Sequence, residues 1–243
     1  MILIRSIFYA IWLYFAMTFA GLVYLPRMLL SKERELGAGR LWTRMAIWGL
    51  RWIVGARVVF TGTQYTPKGA AIVAAKHQSM LETLAPFIMF DSPAFVMKQE
   101  LMSAPVLGWY AKMMGMIPID REAQASALKK LLRAARPAKT DGRQIVIFPE
   151  GTRQEPGVKG EYLPGVAAIY RDLGVPCVPV ALDTGRIWAA KGIIRRPGVA
   201  TIQLLEPIPP GLSREAFMAT LEERIETASV ALLKANPLPP HDG

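Results

Sequence analysis

From about residue 57 onward, short apolar runs alternate with amphipathic stretches, whereas the first 55 residues follow a different pattern. The runs at 58–61, 71–75, 95–98, 117–119, 144–148, 177–182 and 200–205 predict strands. Between them, apolar residues recurring every three or four positions predict helices over 80–90, 104–114, 122–135, 165–173 and 214–233. Strands separated by helices of this length predict an α/β domain, a largely parallel sheet flanked by helices. In such sheets, binding sites gather in loops beyond the carboxyl ends of the strands. The loops after 71–75 and 144–148 are therefore the places to look for chemistry, and they can share one end of the sheet.

The N-terminal pattern is not that of a sheet domain. Between Arg5 and Arg27 lie 21 residues without a charge, among them Phe8, Ile11, Trp12, Phe15 and Leu22. As a helix rising about 1.5 Å per residue, this stretch is about 30 Å long, enough to cross a bilayer core. A secretory signal is the competing reading, but the apolar run is long for one and continues past its weak Thr18-Phe19-Ala20 cleavage site. Next, 36–55 interleaves Arg40, Arg44 and Arg51 with Trp42, Trp48, Trp52 and apolar residues. A basic, Trp-rich helix of this kind lies in a membrane interface, or else is a core helix with a solvated Arg face. The pattern divides the chain into an N-terminal membrane-binding helical pair, 1–55, and an α/β domain, 56–243, with a Pro-rich tail.

Composition sharpens this division. A length of 243 residues suits one sizeable domain with an appendage. The apolar share of 52% is high for a soluble domain and points to a membrane. The net charge of +10 suits anionic lipid surfaces, nucleic acid or acidic substrates. Nucleic acid is set aside, because zinc-finger spacing and an RNP-like aromatic pattern are both missing from the sequence. The single cysteine, Cys177, fits a reducing compartment and reads as a buried small side chain. Two distant histidines and one cysteine make no metal-ligand cluster, so no metal is expected.

Candidate chemistry centres on His77, since the other histidine, His241, lies in the Pro-rich tail. An imidazole base needs a partner on its second ring nitrogen, and Glu82, five residues on, can supply it. Both residues also have a plain structural reading. His77 can be a loop histidine at a strand end, and Ser79-x-x-Glu82 is a capping box for a helix start. A second loop, Phe148-Pro149-Glu150-Gly151-Thr152-Arg153, puts an acid, a glycine, a hydroxyl and a guanidinium after an apolar strand. Gly151 lets backbone approach a ligand, and Arg153 offers a planar fork for phosphate or carboxylate. A third loop, Gly115 through Asp120-Arg121, again ends an apolar run in Asp-Arg.

In this order and spacing, the three loops resemble the motifs of the glycerophospholipid acyltransferase family, most closely its bacterial 1-acyl-glycerol-3-phosphate acyltransferases. The family's His-x4-Asp motif matches His77 to Glu82, with Glu in place of Asp and Lys76 where Asn is frequent. Its Phe-Pro-Glu-Gly-Thr-Arg motif stands unaltered at 148–153, and its apolar, Pro-containing motif matches 175–180. The resemblance covers roughly residues 58–205.

It implies direct acyl transfer, with His77 as base, oriented by Glu82, acting on the sn-2 hydroxyl of 1-acyl-glycerol-3-phosphate to give phosphatidic acid. Arg121, Glu150, Gly151, Thr152 and Arg153 are the implied substrate-binding residues. Glu150 either holds Arg153 or contacts the glycerol. Tyr162-Leu163-Pro164-Gly165 departs from the family's aromatic-Lys-x-Gly pattern, which leaves Lys159 as a possible basic substitute. No cofactor is implied, only an acyl-CoA or acyl carrier protein thioester as co-substrate. The basic stretch Arg186, Lys191, Arg195 and Arg196 is either a contact for that donor or a solvated loop at the membrane. Partners are then a lysophospholipid acceptor, the thioester donor and membrane lipids, on the cytoplasmic side of the inner membrane. The alternatives are acyl transfer to another lysolipid acceptor, a membrane-bound thioester hydrolase, or a membrane-bound lipid-binding protein with a decayed site.

Overall fold

The structure is a computed structural model, and it describes residues 1–30, 36–104, 107–120 and 124–235. Helix α1 (Ile2–Leu30) and α2 (Gly37–Gly49), the latter extended by a π-helical turn Leu50–Val54, precede the sheet. Gly55, at φ 84°, turns the chain from that last helical residue into β1 (Ala56–Thr61). The domain continues through β2 (Ala71–Ala75), α3 (Leu81–Leu84), α4 (Pro86–Met89), β3 (Pro93–Lys98), α5 (Leu107–Met113) and β4 (Ile117–Ile119). It ends with α6 (Gln124–Thr140), β5 (Gln144–Ile147), α7 (Gly165–Leu173), β6 (Cys177–Leu182), β7 (Gly198–Leu204) and α8 (Arg214–Ala235).

Seven strands form one sheet in the order β1-β7-β6-β2-β5-β3-β4. All neighbours are parallel except β6 and β7. The expected α/β architecture with a largely parallel sheet is therefore present. Central strands are buried on both faces, which is why β2 and β5 read as unbroken apolar runs rather than alternating ones. Pro179 is tolerated in β6 because the β6–β7 ladder begins one residue later, at Val180.

Two predicted helices differ from the observed ones for reasons that proline explains. The stretch 80–90 splits into α3 and α4, with Pro86 opening the second, where its missing N–H costs least. In contrast, α6 runs five residues past the expected end and carries Pro137 within its last turn. The helix expected over 104–114 is α5, preceded by a 3₁₀ turn at Gln99–Ser103.

The sheet separates two apolar layers. Val73, Ala75 and Val146 face α1, α2 and α4, while Ile72, Ala74, Ile145 and Ile147 face α6, α7 and α8. The N-terminal helices therefore share the main core. Helix α1 buries Ser6, Tyr9, Leu13, Ala16 and Ala20, a stripe at three- and four-residue spacing. The Tyr9 ring meets Trp188 edge-on at 5.5 Å, and Ser6 Oγ accepts from the Arg195 backbone N–H at 2.8 Å. Trp12 Nε1 donates to the carbonyl of Met45 in α2 at 2.8 Å. The opposite side of α1 leaves Leu3, Ile4, Phe8, Ile11, Phe15 and Leu22 exposed, and Trp48 and Trp52 continue that apolar surface.

Candidate active site

Strands β6, β2 and β5 lie side by side and run parallel, so the loops after them meet at one sheet edge. The loop after β2 carries His77 and the loop after β5 carries Glu150 to Arg153, as the strand pattern predicts. They are joined through the His77 backbone. Its N–H donates to Glu150 Oε2 at 2.9 Å, and its carbonyl accepts from Gln154 N–H at 2.8 Å. The ring stacks on Phe148 with centroids 4.1 Å apart.

His77 Nδ1 lies 3.0 Å from Glu82 Oε1. The same oxygen accepts the backbone N–H groups of Gln78, at 2.5 Å, and Ser79. Glu82 Oε2 accepts the hydroxyls of Ser79 at 2.6 Å and Thr184 at 2.8 Å. Ser79 Oγ in turn accepts Leu81 N–H at 2.9 Å, at the start of α3. One carboxylate thus faces the His77 ring and takes up free amides just before α3, whose N-cap is Met80 rather than Ser79. Burial alone raises the Glu82 pKa, but the His77 hydrogen bond and charge, with the Ser79 bonds, outweigh it and hold it below the ordinary value. An ionised Glu82 keeps the neutral ring's proton on Nδ1 and leaves the Nε2 lone pair available.

Thr184 carries no local signal that separates it from other turn threonines. Its position directly beyond β6, at the same sheet edge as His77, is the one feature that marks it. Gln78 adds a second tie to this loop, its Oε1 accepting Gly185 N–H at 3.1 Å.

The structure turns Glu150 inward. Its carboxylate is buried and is occupied by Lys76 Nζ at 2.9 Å, Gly160 N–H at 3.1 Å and the His77 N–H. Gly151, at φ 66°, turns the chain away after it, so Thr152 and Arg153 stand exposed. Arg153 Nη1 donates to Ala190 O at 3.4 Å. Arg121 lies outside the described residues, as does His241. Its predecessor Asp120 follows β4 at the far edge of the sheet. Arg143 anchors the start of that loop, donating to the carbonyls of Met114 and Gly115 at 2.9 and 2.6 Å.

An apolar cavity of about 900 Å³ opens at His77 and runs between the sheet and the N-terminal helices. Gly21 and Leu22 of α1, Trp42 of α2, Phe87, Tyr110 and Met114 line its depth. Polar groups are few there, and His77, Lys98 and Arg153 are the basic side chains among them. Lys98 ends β3, again at the carboxyl edge of the sheet.

In the 186–196 stretch, the arginines divide. Arg186 turns inward to Asp183 and the Val199 carbonyl. The Arg195 guanidinium packs over Trp188 at 4.5 Å, and its pKa is lowered by burial and further by the charge of Arg153. Lys159 pairs with Glu222 of α8. Cys177 is fully buried, and burial pushes its thiol pKa up, which removes it as a nucleophile. Ser79 is likewise committed, its hydroxyl both donating and accepting inside the loop.

Comparison with known proteins agrees with this architecture. Residues 57–183 match the family model described as Acyltransferase. Over 202 residues the chain is 32% identical to a 1-acyl-sn-glycerol-3-phosphate acyltransferase of Pseudomonas aeruginosa, covering 81% of this chain and 77% of that protein. It is 33% identical over 137 residues to the chloroplastic 1-acyl-sn-glycerol-3-phosphate acyltransferase BAT2 of Brassica napus, of which it spans 39%. The crystal structure of the 1-acyl-sn-glycerophosphate (LPA) acyltransferase PlsC from Thermotoga maritima superposes with a TM-score of 0.80 at 25% identity. That match covers 97% of this chain and 99% of the Thermotoga chain.

Proposed function

The chain belongs to the acyltransferase family, and from that premise we propose that it moves a fatty acyl chain from a thioester to the sn-2 hydroxyl of 1-acyl-glycerol-3-phosphate, giving phosphatidic acid. The observation that carries this reading is a His77–Glu82 pair at the mouth of a long apolar cavity with Arg153 beside it. His77 Nε2 takes the proton of the acceptor hydroxyl as its oxygen attacks the thioester carbonyl. The C–S bond then breaks, and the thiolate leaves with a proton returned from His77. Glu82 stabilises the imidazolium formed between these steps. Acyl chains occupy the cavity, and Arg153, Arg121 and Lys98 meet the acceptor's phosphate. The donor is an acyl-CoA or acyl carrier protein.

One assay tests this reading. Purified protein incubated with acyl-CoA should release free thiol in proportion to added lysophosphatidic acid, with phosphatidic acid as product. Thiol release at the same rate without acceptor would make the protein a thioester hydrolase. No release under either condition would leave a lipid-binding protein.

The apolar surface of α1, continued by Trp48 and Trp52, supports attachment to a membrane, which we take to be the inner membrane with the catalytic domain on its cytoplasmic side. The long helix has the length and composition to span, yet its buried stripe lies along the domain. That arrangement favours a helix pair set into one leaflet. Burial of apolar area is not screened by salt, so the protein should sediment with membranes and resist high-salt extraction. Full-length protein recovered in the soluble fraction without detergent would overturn the attachment.

A further inference from the structure

Lys76 is a buried charge that the acyl-transfer steps leave unused. Its side chain is 1% exposed, a rare setting for lysine unless carboxylates surround it. Nζ donates to Glu150 Oε1 at 2.9 Å and to the two oxygens of Glu226 at 2.8 and 3.1 Å. One cation thus stands between acids from the loop after β5 and from α8. Further polar groups face this cluster. Gly160 and His77 donate backbone N–H groups to Glu150, and Tyr162 OH donates to Glu226 at 3.0 Å. Glu222, one helical turn before Glu226, is paired with Lys159. Burial, then the charges of Glu226 and Glu150, hold the Tyr162 phenol above its ordinary pKa, so it stays a neutral donor.

We propose that Lys76 is a positioning residue for the transfer: it keeps Glu150 ionised so that Glu150 fixes the backbone of His77, and through Glu226 it ties α8 to both catalytic loops. The proposal rests on reading His77 as the base. An ionised carboxylate has acceptor capacity for Lys76, Gly160 and His77 together, whereas a protonated one spends an oxygen as a donor. A buried carboxylate left without its cation takes up a proton rather than remain charged. Here the charge and the base are neighbours in sequence, so an error at Lys76 is transmitted directly to His77.

The test compares full-length, membrane-bound Lys76→Met, Lys76→Met/Glu150→Gln and, as a control, Glu222→Gln. Lys76→Met should lower kcat about tenfold to a hundredfold, the scale of an ångström-sized misplacement of a reacting group. The acceptor KM should change by less than about twofold, since binding contacts remain. The rate of Lys76→Met should also recover as pH rises through a new ionisation, because Glu150 must lose a proton unaided. Wild type and the double variant should lack that ionisation, and the double variant, whose amide mimics the protonated carboxyl, should stay about as slow at every pH as Lys76→Met is at neutral pH. Infrared spectra of Lys76→Met should show a protonated carboxyl band that the double variant lacks, a readout independent of catalysis. Glu222→Gln should match wild type. A Lys76→Met rate within about twofold of wild type, a missing carboxyl band, or a loss identical and pH-independent in both variants would overturn the proposal. An active His77→Ala enzyme would instead overturn the base assignment, leaving the band in place.

Discussion

His77→Ala should lower the rate of acyl transfer by about 10²- to 10⁴-fold, the usual contribution of a positioned general base, with the fold intact. The fold survives because Glu82 loses one partner of five: the amides of Gln78 and Ser79 and the hydroxyls of Ser79 and Thr184 remain. Retention of more than about a tenth of the wild-type rate would sink the base assignment. Glu82→Gln should fall in the same range for a different reason. Its carbonyl can keep the place of Oε1, while its amide donates to the Ser79 and Thr184 hydroxyls, which both accept. The ring then keeps its orientation but loses the negative charge that stabilises imidazolium, so this variant isolates charge from geometry. Glu82→Asp keeps the charge on a shorter arm and should retain measurable activity. His241→Ala and Cys177→Ser should remain active.

Held below its ordinary value, the Glu82 carboxylate stays charged as pH falls through the usual carboxylate range. Its contribution to stability is present above the unfolded-state value and is lost only as pH falls through the lower folded-state one. Acid loss of activity above that point therefore does not come from Glu82. A Glu82→Gln enzyme as active as wild type at neutral pH would remove Glu82 from the mechanism.

The parts of this fold that sequence made legible are those fixed by burial on both sides. Strands 71–75 and 177–182 and helix 165–173 begin and end where the apolar pattern does. Prolines caused the main errors, since Pro86 opens a new helix and Pro137 is carried inside α6, although both look alike in a sequence window. At the site, His77 and Glu82 were legible because one tight loop sets their distance. Partners brought in by tertiary structure were not. Thr184 lies 102 residues from Glu82, and Glu226 lies 150 residues from Lys76. Glu150 shows the limit most clearly. Beside Arg153 in sequence, it reads as that residue's partner, yet the left-handed turn at Gly151 sends the acid inward and the guanidinium outward.

That outward turn makes Arg153 the side chain of its loop best placed to meet an anion, and its replacement should be the second most damaging. Among the described residues its guanidinium makes one hydrogen bond, the 3.4 Å contact to Ala190 O, which leaves most of its donors for a ligand. The charge of Arg195 nearby adds to the positive field there. A charge-assisted bond to phosphate is worth about 1.5–3 kcal/mol, or about ten- to a hundredfold in affinity. Arg153→Ala should therefore lower kcat/KM for lysophosphatidic acid by that factor, and Arg153→Lys should also be damaging, because a point charge loses the planar fork. Arg121→Ala should behave in the same way if the third loop reaches the same phosphate. Monoacylglycerol decides what these losses mean, since it offers the same hydroxyl without a phosphate. Losses confined to lysophosphatidic acid would assign both arginines to the headgroup. Equal proportional losses on the two acceptors would show that they support the loops instead, and the phosphate-bearing substrate would then lack a reader among these residues.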